Sequence, residues 1–363
     1  MVSTLATLAL FAALSSVSPT PGAVPPTVAE QVSVSEALLD VVVTGRDDRT
    51  VLGLGPDDFR VEVAGRDAAP VAATFYSNRR FLGDAAAAQA AGIADREASE
   101  GRIFVLFFHD QKQLESDRFS FVGQQLEAGR RAAEWVATGL LPGDRAAVVG
   151  FDSRLRLYAD LTDDRVALRE AVLAAVTGRT TAGDWPSRRA SGSPGASELA
   201  ARLPAGDALR DRTPRIYDAL QLVADALAPV RGRKNLILFS RGIGELGAFG
   251  EYRKDPRYYT KTQETLNAAN VAVYGVNTGP EPGLAILDGV SELASDTGGA
   301  LYRIFVSFTT PLEQIAAATN GYYLLAVPTP DDAAPGSYVE AKVRCRNPEL
   351  RCTGRQGFRM TGK

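Results

Sequence analysis

The chain is poor in the residues that do most metal and acid–base chemistry. Its 363 residues include one histidine, His109, and two cysteines, Cys345 and Cys352. A single imidazole excludes a His-rich zinc site and a His–His proton relay. Two thiols exclude a four-thiolate zinc site and an iron–sulfur cluster. An excess of either charge is lacking too: 40 basic residues face 43 acidic ones, a net charge of −3. No basic stripe of the kind that binds nucleic acid is present. The densest basic run, Arg231 to Lys234, reads as a solvated turn before a strand.

Residues 1–43 contain no Lys or Arg. The apolar run from Leu5 to Val17 is too short to span a bilayer, but it suits the core of a secretory signal, and small residues and prolines follow it. Residues 1–26 therefore read as a signal-like leader without the usual basic start, and the expected location is periplasmic or extracellular.

After the leader, residues 30–78 read as a small β segment. The candidate strands are 31–43, 51–54, 59–63 with strict alternation of Phe59, Val61 and Val63, and 71–76. Residues 79–101 are Ala-rich and polar, and read as a linker. From residue 102 to 320, strand and helix alternate. Continuous apolar runs at 103–108, 145–151, 235–240 and 271–276 suit strands buried on both faces. Phe119, Val122, Leu126, Gly129, Ala133, Val136 and Leu140 mark a helix, and Ile216, Leu220, Val223 and Leu227 mark another. Thr162 is read as the N-cap of a helix carrying Leu168 and Val172. Thr310 to Glu313 reads as a capping box with Gly321 as the stop. Helices are also expected at 255–269 and 287–296, and a short strand at 300–303. This is the pattern of a doubly wound α/β sheet. Residues 178–212, rich in Gly, Ser, Pro, Ala and Arg, read as a long flexible loop in which Trp185 is the one large apolar anchor.

Residues 321–361 return to β, with strands at 321–327, 339–346 and 351–358. A loop of four residues at 347–350 sets Cys345 opposite Cys352 on a hairpin, close enough for a disulfide if the pair is not hydrogen-bonded. Two reduced thiols on one hairpin face are the alternative. The two β flanks are expected to pair into one unit around the α/β domain.

Five stretches carry a family resemblance. They are Val41 to Asp47 with Leu54 to Val61, Arg102 to Asp110 with Leu141 to Val148, Thr213 to Leu220, Leu293 to Gly299, and Asn320 to Leu325. In order and coverage they resemble a von Willebrand factor A (VWA) domain, and the chain from about Val34 to Phe358 is similar to the secreted VWFA-related proteins of the acidobacterial type. The resemblance implies a Rossmann-like sheet with a metal-ion-dependent adhesion site at its carboxyl end. Mg²⁺ there needs about six oxygens at roughly 2.0–2.1 Å, from an Asp-x-Ser-x-Ser loop, a threonine and a further aspartate. Asp110 matches the first aspartate and Thr213 the threonine. Lys112 and Leu114 stand at the serine positions, and Arg241 stands where metal-binding members carry Asp. Two cations facing a divalent ion would repel it, so no metal is expected, and Lys112 or Arg241 is expected to pair with Asp110 instead.

The functional expectation is an exported, non-enzymatic interaction or adhesion module that binds a protein or a cell-envelope component. Metal-dependent ligand binding at a non-standard site and an uncharacterised enzyme are the alternatives. A Ser-His-Asp hydrolase would have to use His109, and no G-x-S-x-G elbow is present. His109 is expected to be a packed or hydrogen-bonded imidazole. Gly242 to Glu245 lacks the complete dinucleotide fingerprint, so no cofactor is expected. Asp57–Asp58 and Asp331–Asp332 read as solvated turns.

Overall fold

A computed structural model describes residues 36–46, 49–77, 101–109, 118–152, 154–177, 198–204, 206–248, 251–279, 285–303 and 307–360. The leader, the linker up to residue 100, Trp185, Asp110, Lys112 and Leu114 lie outside the described residues.

Six strands form the central sheet: β5 (Ile103–His109), β6 (Arg145–Phe151), β7 (Leu155–Thr162), β8 (Lys234–Ser240), β11 (Val271–Asn277) and β12 (Leu301–Tyr302). Their order is β12-β11-β8-β5-β6-β7, parallel except for the antiparallel edge strand β7. The apolar runs form these strands because both faces are covered. Helices α1 (Arg118–Thr138), α2 (Arg165–Thr177) and α7 (Thr309–Ala318) lie on one face, where Phe104, Leu106 and Phe108 meet Trp135, Val172 and Ile315. Helices α4 (Ile216–Leu227), α5 (Pro256–Ala268) and α6 (Leu287–Asp296) lie on the other, where Val105 and Phe107 share a core with Leu220, Leu266 and Leu293. The domain is doubly wound. Full burial of each such side chain stabilises it by about 1.5–3 kcal/mol.

The flanks build a sandwich of two four-stranded antiparallel sheets. One is ordered β15-β1-β13-β4, from Arg351–Gly354, Glu36–Thr44, Gly321–Pro328 and Ala72–Ser77. The other is β16-β14-β2-β3, from Gly357–Arg359, Tyr338–Cys345, Phe59–Val63 and Arg66–Asp67. Each therefore combines strands from both ends of the described chain. Leu39, Val41, Phe59, Val61, Tyr323, Leu325 and Phe358 fill the space between them.

Several expectations need correction. Residues 51–54 form no strand: Tyr323 Oη donates to Val51 O at 2.9 Å and accepts from Leu54 N at 3.2 Å. That tyrosine takes the polar groups a ladder would use, and Gly53 turns the chain at φ 81°. Asp164, not Thr162, caps α2, because its Oδ1 accepts from both Val166 N at 2.9 Å and Ala167 N at 3.1 Å. The Thr310–Glu313 box does not form, since α7 begins at Thr309 and Ser307 Oγ accepts from Thr309 N at 3.2 Å. Leu126 is 42% exposed, and Gln125 takes the buried place on α1. Arg233 and Lys234 are buried rather than solvated. Within the expected flexible loop, Leu199, Leu203 and Leu209 are buried and α3 (Asp207–Arg212) forms.

The disulfide between Cys345 and Cys352 is present, with a Cα–Cα distance of 5.5 Å. It is not a cross-strand staple within one ladder. β14 pairs with β2 and β16, whereas β15 pairs with β1, so the bond ties the two sheets of the sandwich together. The strand expected at 351–358 is likewise two strands, split where the chain changes sheet at Arg355 and Gln356.

The sandwich is joined to the α/β sheet through β1 and the 355–356 crossing. Arg355 Nη1 donates to Asn267 O at 2.8 Å and Nη2 to Leu38 O at 2.6 Å. Asn270 Nδ2 donates to Asp40 Oδ2, and Gln356 N donates to Asp296 O at 3.0 Å.

Candidate functional site

Ligands of open α/β sheets bind beyond the carboxyl ends of the strands, at the point where strand order reverses. Here that point lies between β5 and β8. β5 ends at His109 and β8 at Ser240, both buried. His109 Nδ1 lies 2.9 Å from Ser240 Oγ. Ser240 Oγ donates to Gly242 O and accepts from Gly242 N, each at 3.0 Å. The arrangement that satisfies every group places a proton on Nδ1 and directs it at Oγ. Burial lowers the His109 pKa to about 3, so the imidazole is neutral across the physiological range. A Ser–His nucleophile needs the hydroxyl to donate to the ring; here the hydroxyl is 1% exposed and its proton goes to Gly242 O instead.

Arg241 follows, with 6% of its surface exposed. Its side chain passes beside Gly279, where an added Cβ would stand 3.5–3.6 Å from Cγ and Nε. The turn after β11 holds that wall in place: Gly279 N donates to Asn277 Oδ1 at 2.8 Å and Thr278 N to Ser240 O at 3.2 Å. Gly242 has φ 150°, and a Cβ there would come within 2.6 Å of Ile286 O. The glycine after Arg241 is therefore required by packing.

Thr213 is fully buried just before α4. Its Oγ1 donates to Leu209 O at 2.7 Å and accepts from Leu155 N at 3.3 Å. Leu155 pairs with Phe151, which pairs with His109. Thr213 and Arg241 thus sit on the same carboxyl edge, joined through the His109–Ser240 contact. Of the five residues the resemblance singles out, these two are described.

The N-termini of α4 and α5 add a rim that sequence reasoning missed. The Arg215 guanidinium lies 4.3 Å from the Tyr258 ring centroid, Arg257 lies 5.4 Å from it, and Tyr217 stacks on it at 6.2 Å. Arg257 also forms a two-point pair with Asp255, at 3.0 and 2.7 Å, which holds the Asp255 carboxyl below its usual range. Burial, reinforced by the charges of Asp255, Glu245 and Glu292, pushes the Tyr217 hydroxyl up to about 12. Cation–aromatic stacking depends on tertiary placement and leaves no spacing signal in the sequence.

No protein-family model matches the chain, and no curated protein is similar to it in sequence. Solved structures with a similar arrangement include BatB from Bacteroides thetaiotaomicron, at 12% identity over 60% of this chain and 98% of that one, with a TM-score of 0.37. The vWF domain of the type V pili tip protein Mfa5 from Porphyromonas gingivalis is 13% identical, over 61% and 96%, with a TM-score of 0.36. A von Willebrand factor type A structure from Catenulispora acidiphila is 10% identical, over 91% and 75%, with a TM-score of 0.35. The fold assignment rests on the sheet order itself.

Proposed function

We propose that this chain is an exported, VWA-type interaction module that binds a protein or envelope component without a divalent ion. The observation that carries the reading is the buried Arg241 at the carboxyl edge. A guanidinium offers no lone pair to a metal and brings a positive charge to the place where a carboxylate ligand would stand. Thr213 supports it, because its hydroxyl proton and one lone pair already serve Leu209 and Leu155. Lys112 and Leu114 add no oxygen donor either. In this reading Arg241 compensates Asp110 at the end of β5, a protein cation in the place of an ion. The disulfide suits an oxidising compartment, and no helix among the described residues is long and apolar enough to cross a membrane.

Two measurements test it. Calorimetry with Mg²⁺, Mn²⁺ and Ca²⁺ is expected to show no saturable heat. Capture of a partner from envelope extract is expected to survive EDTA and to be lost in Asp110→Ala and Arg241→Ala. Saturable metal binding, or capture that needs the metal, overturns the reading in favour of a metal-dependent site.

A further inference from the structure

Among the described residues the three larger sheets have six edges, and five of them are blunted. In the α/β sheet, β12 is two residues long. The other edge strand, β7, carries Arg156 and Asp160, and the Asp160 carboxylate accepts from Leu199 N at 2.9 Å and Ala200 N at 3.0 Å. In the sandwich, β3 is two residues, both charged, β16 is three with Arg359, and β15 is four with Arg351 and the disulfide. Short edges and edge charges keep a sheet from pairing with another chain. β4 has neither. It is the edge of its sheet, is six residues long, pairs with β13 alone among the described residues, and contains no charge and no proline. Directly opposed residues share a face, so Leu38, Ala326 and Ala72 make an apolar row turned away from the sandwich core. Leu38 is 50% exposed, and Val71, just before β4, is 55% exposed.

We infer that β4 is a dimer interface, where it pairs antiparallel, about a two-fold axis at Thr74, with β4 of a second copy of this chain. Two four-stranded sheets become one of eight. The strand is complementary to itself in that register. Ala73 opposes Phe75 and Ala72 opposes Tyr76, a small side chain against an aromatic one on each face. Thr74 opposes Thr74, a pairing that stabilises antiparallel strands, and no like charges meet. The row from Leu38 to Ala72 then runs on into the Tyr76–Tyr322 stack of the second copy. This self-complementarity selects a second copy over an unrelated strand. A two-fold closes after two copies, so the open edge is consumed and no fibre grows from it. None of these residues belongs to the His109–Ser240 edge, and the inference does not depend on the function proposed there.

Sedimentation equilibrium on the full chain, from about 1 to about 500 µM, tests the inference. A six-residue edge is smaller than a standard interface, so a dissociation constant of about 10–100 µM is expected. Thr74→Lys sets like charges opposite each other and is expected to weaken the dimer at least about tenfold. Thr74→Glu is expected to do the same. An equimolar mixture of the two variants is expected to dimerise again, because an ammonium then meets a carboxylate across the axis. Thr74→Cys puts no charge into the strand, so it reports on the same axis should the charged variants not fold. Mild oxidation is expected to link it into a covalent dimer, and to leave Leu38→Cys, two strands in from the edge, unlinked. A monomer at every concentration, a dimer that Thr74→Lys leaves intact, a mixture that stays monomeric, or cross-linking no better at position 74 than at position 38 overturns the proposal.

Discussion

His109 and Ser240 meet across the two central strands of the parallel sheet, Nδ1 2.9 Å from Oγ, where the strand order reverses. Because His109 is the chain's sole histidine, its titration is observable without assignment. Its folded pKa of about 3 lies below the ordinary value of 6.5. The unfolded chain therefore binds the proton first as pH falls, and stability present above pH 6.5 is lost on the way down toward pH 3. Between pH 7 and 5 the loss assignable to this group is about 2 kcal/mol. Urea unfolding at the two pH values is expected to show that extra loss in the wild type and not in His109→Gln. The imidazole resonances are expected to stay at their neutral positions down to pH 5; a midpoint near 6.5 would sink the argument.

At the opposite end of the sheet Arg102 and Asp144 form a buried pair. Arg102 Nη2 and Nε reach Asp144 Oδ2 at 2.5 and 3.0 Å, and Asp144 Oδ1 accepts from Arg102 N at 2.8 Å. The guanidinium also closes the carbonyl ends of α1 and α7, through Gly139 O at 3.0 Å and Ala316 O at 2.9 Å. Removing either partner leaves a buried charge uncompensated, at a cost of about 3–5 kcal/mol. Asp144→Ala is expected to fall in that range by denaturant midpoint. The double variant Arg102→Met, Asp144→Ala is expected to lose less than the sum of the single changes.

Features whose cause is local were legible in the sequence. Residues 103–108 read as a buried strand because six consecutive apolar side chains leave no solvent face. Ile216, Leu220, Val223 and Leu227 read as one helix stripe, and all four are buried on α4. What was not legible depends on a distant partner. The chain at 51–54 resembles a strand until Tyr323, 272 residues beyond Val51, takes its hydrogen bonds. Lys234 looks solvated until the fold sets the Asp40 charge near it, and Arg233 until its Nη2 reaches Gly298 O. Thr213 and Arg241 could be set on the carboxyl edge from strand order alone. The Ser240 partner of His109 could not, because it requires knowing that β5 lies beside β8.

The disulfide closes a short loop, with a sequence separation of 7, but bridges two sheets. The chain-entropy contribution for so small a loop is roughly 2.5 kcal/mol. Cys345→Ser with Cys352→Ser is expected to lose about that much and to retain far-UV circular dichroism. Hydrogen exchange is expected to rise in both β14 and β15, since the bond joins neighbours that share no ladder. Exchange that rises in one strand alone would contradict the inter-sheet role.

Lys234 supplies a test of opposite sign at alkaline pH. It is 2% exposed, and its ammonium donates to Val230 O at 2.8 Å. Burial lowers its pKa from 10.5 to about 8, with Asp40 opposing the shift and Arg355 adding to it. Between those values the unfolded chain carries more protons than the folded one, so stability rises with pH through the window, and the cost of the buried charge is fully felt below it. Tyrosines such as Tyr322 and Tyr338, held above their usual range by burial, act against stability only as the pH approaches 10. Measured from pH 7.5 to 9.5, the wild type is expected to gain roughly 1–2 kcal/mol relative to Lys234→Met. The variant is also expected to be the more stable of the two at pH 7.5, provided Val230 O finds water in place of the ammonium. Parallel pH profiles for the two proteins would mean that Lys234 stays charged and solvated in the fold, against its position beneath β1.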